Sequence, residues 1–184
     1  MLNQFKERRT IREFQPVEVE RQKIEQLLEA AIHAPNDRMR EPWHFYVLQE
    51  DALGQYRALA REFLEQRFPT KPNLVEGSMK SIEATPLIIV VTSKIAADDE
   101  GATYDNLFAV SSAIMSMWLM GESLDLGMVW RTRGVGFVHE GPLHEFIGAN
   151  EDERLVGTLC IGYPVKRDLP EKKRTSYIDK TTWV

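Results

Sequence analysis

Between Glu20 and His33 the apolar residues Ile24, Leu27, Leu28, Ala31 and Ile32 recur at helical spacing, and Pro35 ends the pattern. The run predicts an amphipathic helix with one buried face. Residues 2–9 predict a short helix that stops near Thr10. After the loop PNDRMREP, WHFYVLQ reads as a strand. Asp51 to Gln66 reads as an amphipathic helix turned inward on Leu53, Tyr56, Leu59, Ala60 and Phe63. Residues 69–85 predict a loop and a further helix. PLIIVVTS is a short β-branched run, the signature of a buried strand. From Tyr104 to Leu124 the pattern changes: Leu107, Phe108, Val110, Ile114, Met115, Met117, Trp118, Leu119 and Met120 occupy most of the helix circumference. A helix apolar nearly all round has to be covered on more than one side. In a chain of 184 residues the second cover is expected to be another subunit. GMVWRTR predicts a strand or extended turn, PLHEFIG a short helix and RLVGTLCIGYP a strand, with a polar tail from Lys166. This order predicts an α+β fold, a mixed β-sheet surrounded by helices, in a single domain over 1–184.

Length supports that reading, because a domain of this size buries roughly 70% of its unfolded surface. The opening MLNQFKERRTIREF has no continuous apolar stretch after its charges, so no signal peptide is expected. No apolar run approaches the roughly 20 residues of a membrane span. The lone cysteine, Cys160, excludes an internal disulfide, and its apolar surroundings in LVGTLCIGY predict a buried strand thiol rather than a nucleophile. A cytoplasmic location is expected. The net charge of −5 argues against nucleic acid as a partner, but the charge is unevenly placed. Lys6, Arg8, Arg9 and Arg12 against Glu7 give one end +3; Lys166, Arg167, Lys172, Lys173 and Arg174 against Asp168 and Glu171 give the other +3. The body between them is strongly acidic. If the two ends meet in space they form an anion site; if they do not, both are solvated tails.

Several kinds of chemistry are missing from the pattern. Gly134-x-Gly136 is followed by His139 where a dinucleotide fingerprint needs glycine, and no phosphate loop G-x-x-x-x-G-K occurs. His139-Glu140 and His144 are separated by Pro142 and do not form H-E-x-x-H; His33 and His44 are isolated, so no metal site is expected. No G-x-S-x-G elbow is present. An enzyme of this sequence would use a cofactor as its reactive centre.

The informative segment is Arg8-Arg9-Thr10-Ile11-Arg12-x-Phe14, where planar guanidinium forks and a hydroxyl are suited to phosphate. It resembles the opening motif of the FMN-dependent nitroreductase family. The resemblance continues in order: Ala34-Pro35, then Pro42-Trp43-His44-Phe45, then the long apolar helix leading to Leu124–Trp130, then Gly162-Tyr163-Pro164 and the basic Lys172 and Arg174. Length and Trp130-Arg131-Thr132 suggest a short branch of that family. The resemblance implies a homodimer with the long central helix at its interface and FMN bound where the subunits meet. Arg8, Arg9 and Thr10 would hold the FMN phosphate and ribityl chain, and Arg12 would face the N1–C2=O edge of the flavin. Trp130, Arg131 and Thr132 would border the flavin near N5; His33 and Asp37 would reach it from the other subunit, and Arg174 would be a late phosphate contact. The implied reaction is hydride transfer from NADH or NADPH through flavin N5 to small electron-poor acceptors, nitroaromatics or quinones, in a ping-pong cycle with no catalytic side chain assigned. Related folds dehalogenate, oxidise rings or break down flavin, and a flavin-binding regulatory dimer with negligible turnover is a further alternative. One departure stands out: where the family often has Asn and Gln before Pro-Trp, this chain has Met39 and Glu41. Neither replaces a neutral donor at the flavin's pyrimidine edge, so either Asn36, Asp37 or Arg38 substitutes there or the flavin is bound differently.

Overall fold

The computed structural model describes residues 2–132, 141–167, 169–170 and 172–184. Arg133, Gly134, Gly136, His139, Glu140, Asp168 and Glu171, which entered the sequence reading, lie outside them. Six helices are described, α1 (Leu2–Glu7), α2 (Arg21–Ile32), α3 (Glu50–Arg67), α4 (Pro72–Glu83), α5 (Glu100–Ser123) and α6 (Gly141–Phe146). The strands are β1 (Trp43–Leu48), β2 (Leu87–Lys94), β3 (Gly127–Arg131) and β4 (Glu153–Gly162). They form one sheet in the order β1-β2-β4-β3 with antiparallel neighbours. Among the described residues parallel pairing enters only at an isolated bridge, Thr10 to Met128. That bridge brings the N-terminal basic segment alongside the sheet.

The alternation of side chains along the buried strands separates two cores. Leu87, Ile89 and Val91 of β2 join α2 and α5 on one face, against Leu27, Val110, Ile114 and Met117. Ile88 and Val90 face the other way, onto Tyr56 and Leu64 of α3 and Val75 and Met79 of α4. A bulge between Val91 and Thr92 shifts the register, pairing Val91 with Gly157 and Thr92 with Leu155. The extra residue, Val156, thereby joins the α2/α5 core, while Leu155 stays with the α3/α4 core. The result is an α+β fold with helices on both faces of the sheet.

α5 begins four residues before the apolar pattern does, because the Asp99 side chain accepts a hydrogen bond from the backbone N–H of Ala102 and caps its start. Its inner face is fully buried, yet Tyr104 is 51% exposed and Phe108 65% exposed, one turn apart on the outer face. The tail contains a short 3-10 turn, Tyr177–Lys180, and is less polar than its charges suggest: Tyr177, Ile178 and Trp183 are all exposed. Cys160 is buried in β4, as expected. Among the described residues no helix is long and apolar enough to cross a membrane.

Candidate functional site

The two cationic ends meet. Arg8 follows α1, and the chain then runs extended along β3, with the Ile11 N–H donating to the Met128 carbonyl at 3.0 Å. Close approach there depends on Gly127: a Cβ at this position would lie 2.6 Å from Cγ1 of Ile11. Beyond it, Gln15 N–H donates to Tyr163 O and Val165 N–H to Glu13 O, binding the segment to the end of β4 as well. The C-terminal basic run returns over α1, where Lys172 Nζ donates to Phe5 O at 3.5 Å and Arg9 Nε to Pro170 O at 3.3 Å.

Between them lies a cavity of about 790 Å³ lined by Phe5, Lys6, Arg8, Met115, Lys172, Lys173 and Arg174. That volume is within the range of about 300–1,000 Å³ usual for cofactor and small-molecule sites. Its electrostatics are strained. Burial and then repulsion from Arg174 lower the pKa of Arg8, against the pull of Glu122. Burial, then Arg8, Arg9 and Arg174, lower that of Lys172. Nη1 of Arg8 is buried and has no hydrogen-bond partner. Like charges gathered around a polar atom left unsatisfied are relieved by an anion in the cavity.

The remaining expected residues distribute as follows. Arg174 lines this cavity with Arg8. Thr10 and Arg12 lie on the same N-terminal segment and line a second cavity with Ile11, Glu13, Lys166 and Leu169. Arg12 is exposed there. Arg9 turns part of its guanidinium back on its own chain: its Nη1 donates to the carbonyls of Lys6, Glu7 and Arg8 at 2.7, 2.8 and 3.2 Å. The end of α1 leaves those carbonyls without helical partners, and the nearest guanidinium takes them. Trp130 lies over Gly157 of β4, where a Cβ would meet its Nε1 at 2.1 Å. The guanidinium of Arg131 turns to the opposite face and donates to Ser81 Oγ of α4 at 2.7 Å, since neighbouring residues of a strand point to opposite sides. Only its backbone is left to border a ligand beside Trp130. Thr132 is exposed at the end of the described strand region.

His33 and Asp37 are elsewhere. His33 is exposed and lies 3.2 Å from Glu29, and Asp37 pairs with Arg40 at 2.9 Å. Asp37 shares a separate cavity with Asp105, Phe108, Ala109 and Ser112 of α5. Within one chain these two residues do not join the Arg8 cavity. The loop between them and β1 is strained: Arg38, Met39 and Glu41 all have left-handed φ, at 53°, 53° and 46°. Asn36 holds it by accepting the Glu41 N–H at 2.9 Å, and Met39 is left 76% exposed.

The sequence reading did not select Lys6, Lys172, Met115, Trp118 or Glu122 as site residues. Lys172 stands in the sequence beside Arg174 in the last basic motif, with no contact role attached to it. Met115, Trp118 and Glu122 are spaced to share one face of α5, a signal that could have been found by asking which face of the all-apolar helix carries a charge. Among the described residues no group of three or more His, Cys, Asp or Glu is placed to hold a metal ion.

Helices on both faces of an antiparallel sheet, with two basic segments meeting at a cationic cavity over α1 and α5, define an α+β protein with one strongly positive site. The Nitroreductase family model matches residues 5–163, and the chain belongs to that family. It is 31% identical to a Bacillus subtilis protein named "Putative NAD(P)H nitroreductase YfhC", over 97% of this chain and 91% of that protein. It is 23% identical to an iodotyrosine deiodinase of Hydra vulgaris, over 91% of this chain and 66% of that protein. Among solved structures, a nitroreductase-like family protein from Bacillus cereus superposes with a TM-score of 0.86 at 26% identity, covering 100% of this chain and 95% of that one. A Bacteroides fragilis nitroreductase crystallised with bound FMN superposes with a TM-score of 0.73 at 18% identity, covering 100% and 97%.

Proposed function

We propose that this chain is a cytoplasmic, homodimeric, FMN-dependent oxidoreductase that carries hydride from NADH or NADPH to small electron-poor acceptors such as nitroaromatics and quinones. The observation that carries the reading is the Arg8 cavity, where a buried guanidinium nitrogen without a partner is crowded by Lys172 and Arg174. A phosphate monoester supplies both the missing acceptor and the missing negative charge. The FMN bound to the Bacteroides fragilis relative carries such a group. Arg8, Lys172 and Arg174 would hold the phosphate, and Thr10 the ribityl hydroxyls. Arg9 would add to the field while capping α1. Arg12 would place a fixed positive charge at the N1–C2=O edge, stabilising negative charge that develops there. The backbone from Trp130 to Thr132 would border the ring system. When bound, FMN supplies the redox chemistry, accepting hydride from the nicotinamide and passing it on in a separate half-reaction. No side chain is assigned as acid or base, since water can supply the protons.

The outward Tyr104 and Phe108 of α5 support the dimer, and the exposed Tyr177, Ile178 and Trp183 add apolar surface that one chain leaves uncovered. His33 and Asp37 would then approach the partner's flavin rather than their own. Reductive dehalogenation on the same fold is the second reading, favoured by the similarity to the Hydra deiodinase. The test is anaerobic stopped-flow mixing of the FMN-loaded protein with NADH and with NADPH, then with a panel of nitroaromatics, quinones and halogenated phenols. Bleaching of the flavin within seconds by one nicotinamide, and recovery of colour with nitroaromatics or quinones, is the expected result. Bleaching by neither nicotinamide would leave only a flavin-binding protein.

A further inference from the structure

Arg8 lies on the ring of Trp118, with its guanidinium carbon 4.3 Å from the ring centroid. Trp118 is 8% exposed, belongs to the α2/α5 core, and its Nε1 is buried without a hydrogen-bond partner. The indole therefore acts here as a surface, not as a donor. Among the described residues no carboxylate comes within ion-pair distance of Arg8. Glu122, one turn further along α5, instead has Oε1 3.4 Å from the backbone N–H of Arg9. The difference matters, because a carboxylate paired with Arg8 would occupy the fork that a phosphate needs. An aromatic face attracts the guanidinium plane and leaves its edge free.

We infer that Trp118 is a positioning residue that fixes Arg8 for a phosphate ligand and so sets the preference for a phosphorylated over an unphosphorylated flavin. The inference rests on the proposed FMN site. A long, flexible arginine has to be ordered before it can grip a phosphate, and the stack provides that order before the ligand arrives. The advantage is delivered only to ligands with a phosphate. Riboflavin, which shares every other part of FMN, does not receive it. Glu122 complements the arrangement by drawing positive charge toward α5 without occupying the Arg8 fork.

The experiment titrates flavin-free protein with FMN and with riboflavin and reads the ratio of their dissociation constants. Trp118→Leu is expected to lower the preference for FMN roughly tenfold, with riboflavin affinity unchanged within about twofold. Trp118→Phe, which keeps a weaker aromatic face, is expected to lower it about threefold. Arg8→Gln should lower it further, and Arg8→Gln/Trp118→Leu no more than Arg8→Gln alone, because the indole acts through the arginine. A ratio unchanged in Trp118→Leu, or equal losses for both flavins, while Arg8→Gln still abolishes the preference, overturns the inference and leaves the phosphate site standing. Should Trp118→Leu not fold, Trp118→Phe decides, and an unchanged ratio in that variant overturns it. An unchanged ratio in Arg8→Gln removes the FMN site itself, and the inference with it.

Discussion

Arg8 and Arg12 stand on one extended segment but meet different surroundings, and charge type alone does not separate them. Arg8 is half-buried between Trp118 and the cations of the tail, where the proposed phosphate would carry a charge that is constant through a redox cycle. Arg12 is exposed in the neighbouring cavity, where the proposed ligand gains negative charge only on reduction. A charge-assisted contact worth roughly 1.5–3 kcal/mol in the reduced state alone corresponds to roughly 30–65 mV of two-electron potential. Arg12→Gln is accordingly expected to lower the midpoint potential by that amount, measured with the variant FMN-saturated. Arg8→Gln should leave the potential near the parent value and weaken both redox forms alike. An unmoved potential in Arg12→Gln would take away its proposed role. Arg9→Gln separates differently: losing carbonyl caps at the end of α1 is expected to cost about 1 kcal/mol of stability, read in denaturant melts. Its FMN-to-riboflavin preference should fall far less than that of Arg8→Gln.

At the scale of elements, the position of the basic segment depends on β3. With a Cβ placed 2.6 Å from Ile11, Gly127→Ala must push the segment off the sheet. Overpacking of this kind costs typically 1–3 kcal/mol, and FMN affinity is expected to fall alongside the melting temperature. A variant with parental FMN affinity would show that the segment tolerates displacement. The other end of the sheet is secured by Glu153 at the start of β4. Its carboxylate accepts hydrogen bonds from Thr92, from Tyr46 at 2.9 Å and from Asn150 at 2.7 Å. Burial alone would raise its pKa, but these bonds outweigh burial and hold it below the ordinary value. Tyr46, pushed up to about 12 by burial and by its bond to Glu153, stays a donor at neutral pH. A depressed folded pKa means that the unfolded chain binds more protons in the acid range. The stabilisation is present above the unfolded value of roughly 4.3 and is lost as the pH falls through the folded one. Glu153→Gln is expected to cost about 1–2 kcal/mol near pH 7, with the gap to the parent narrowing in melts below about pH 4. A gap constant with pH would mean that shape, not charge, is what β4 needs there.

For the whole molecule, the exposed apolar groups on α5 and the tail are the surface that the proposed dimer would cover. Covering them is expected to require an obligate interface on the scale of roughly 2,000 Å² in total. Sedimentation of the parent should show a dimer down to nanomolar concentration. Phe108→Glu should shift it to monomer and release FMN in the same concentration range, since His33 and Asp37 are proposed to serve the partner's site. A monomer that retains FMN with parental affinity would separate assembly from cofactor binding.

The sequence by itself determined the elements and the membership of the fold. The helical periods of α2 and α3, the β-branched run of β2 and the all-round apolar α5 each state their burial through local spacing, because side chains repeat every 3.6 residues in a helix and every two in a strand. It also showed two basic ends, but not that they meet: that contact depends on pairing between Thr10 and Met128 and between Phe14 and Pro164, far apart in the chain. Tertiary structure decided which arginine does what. Arg8, Arg9 and Arg131 are chemically alike, and only their neighbours, an indole ring, a helix end and Ser81 of α4, give them different work. The same holds for Trp118, legible in the sequence as a core residue and revealed as a platform for Arg8 only when α5 packs beneath the basic segment. Periodicity is a local property of the chain, whereas the direction of a side chain's charged end is set by whatever long-range packing places beside it.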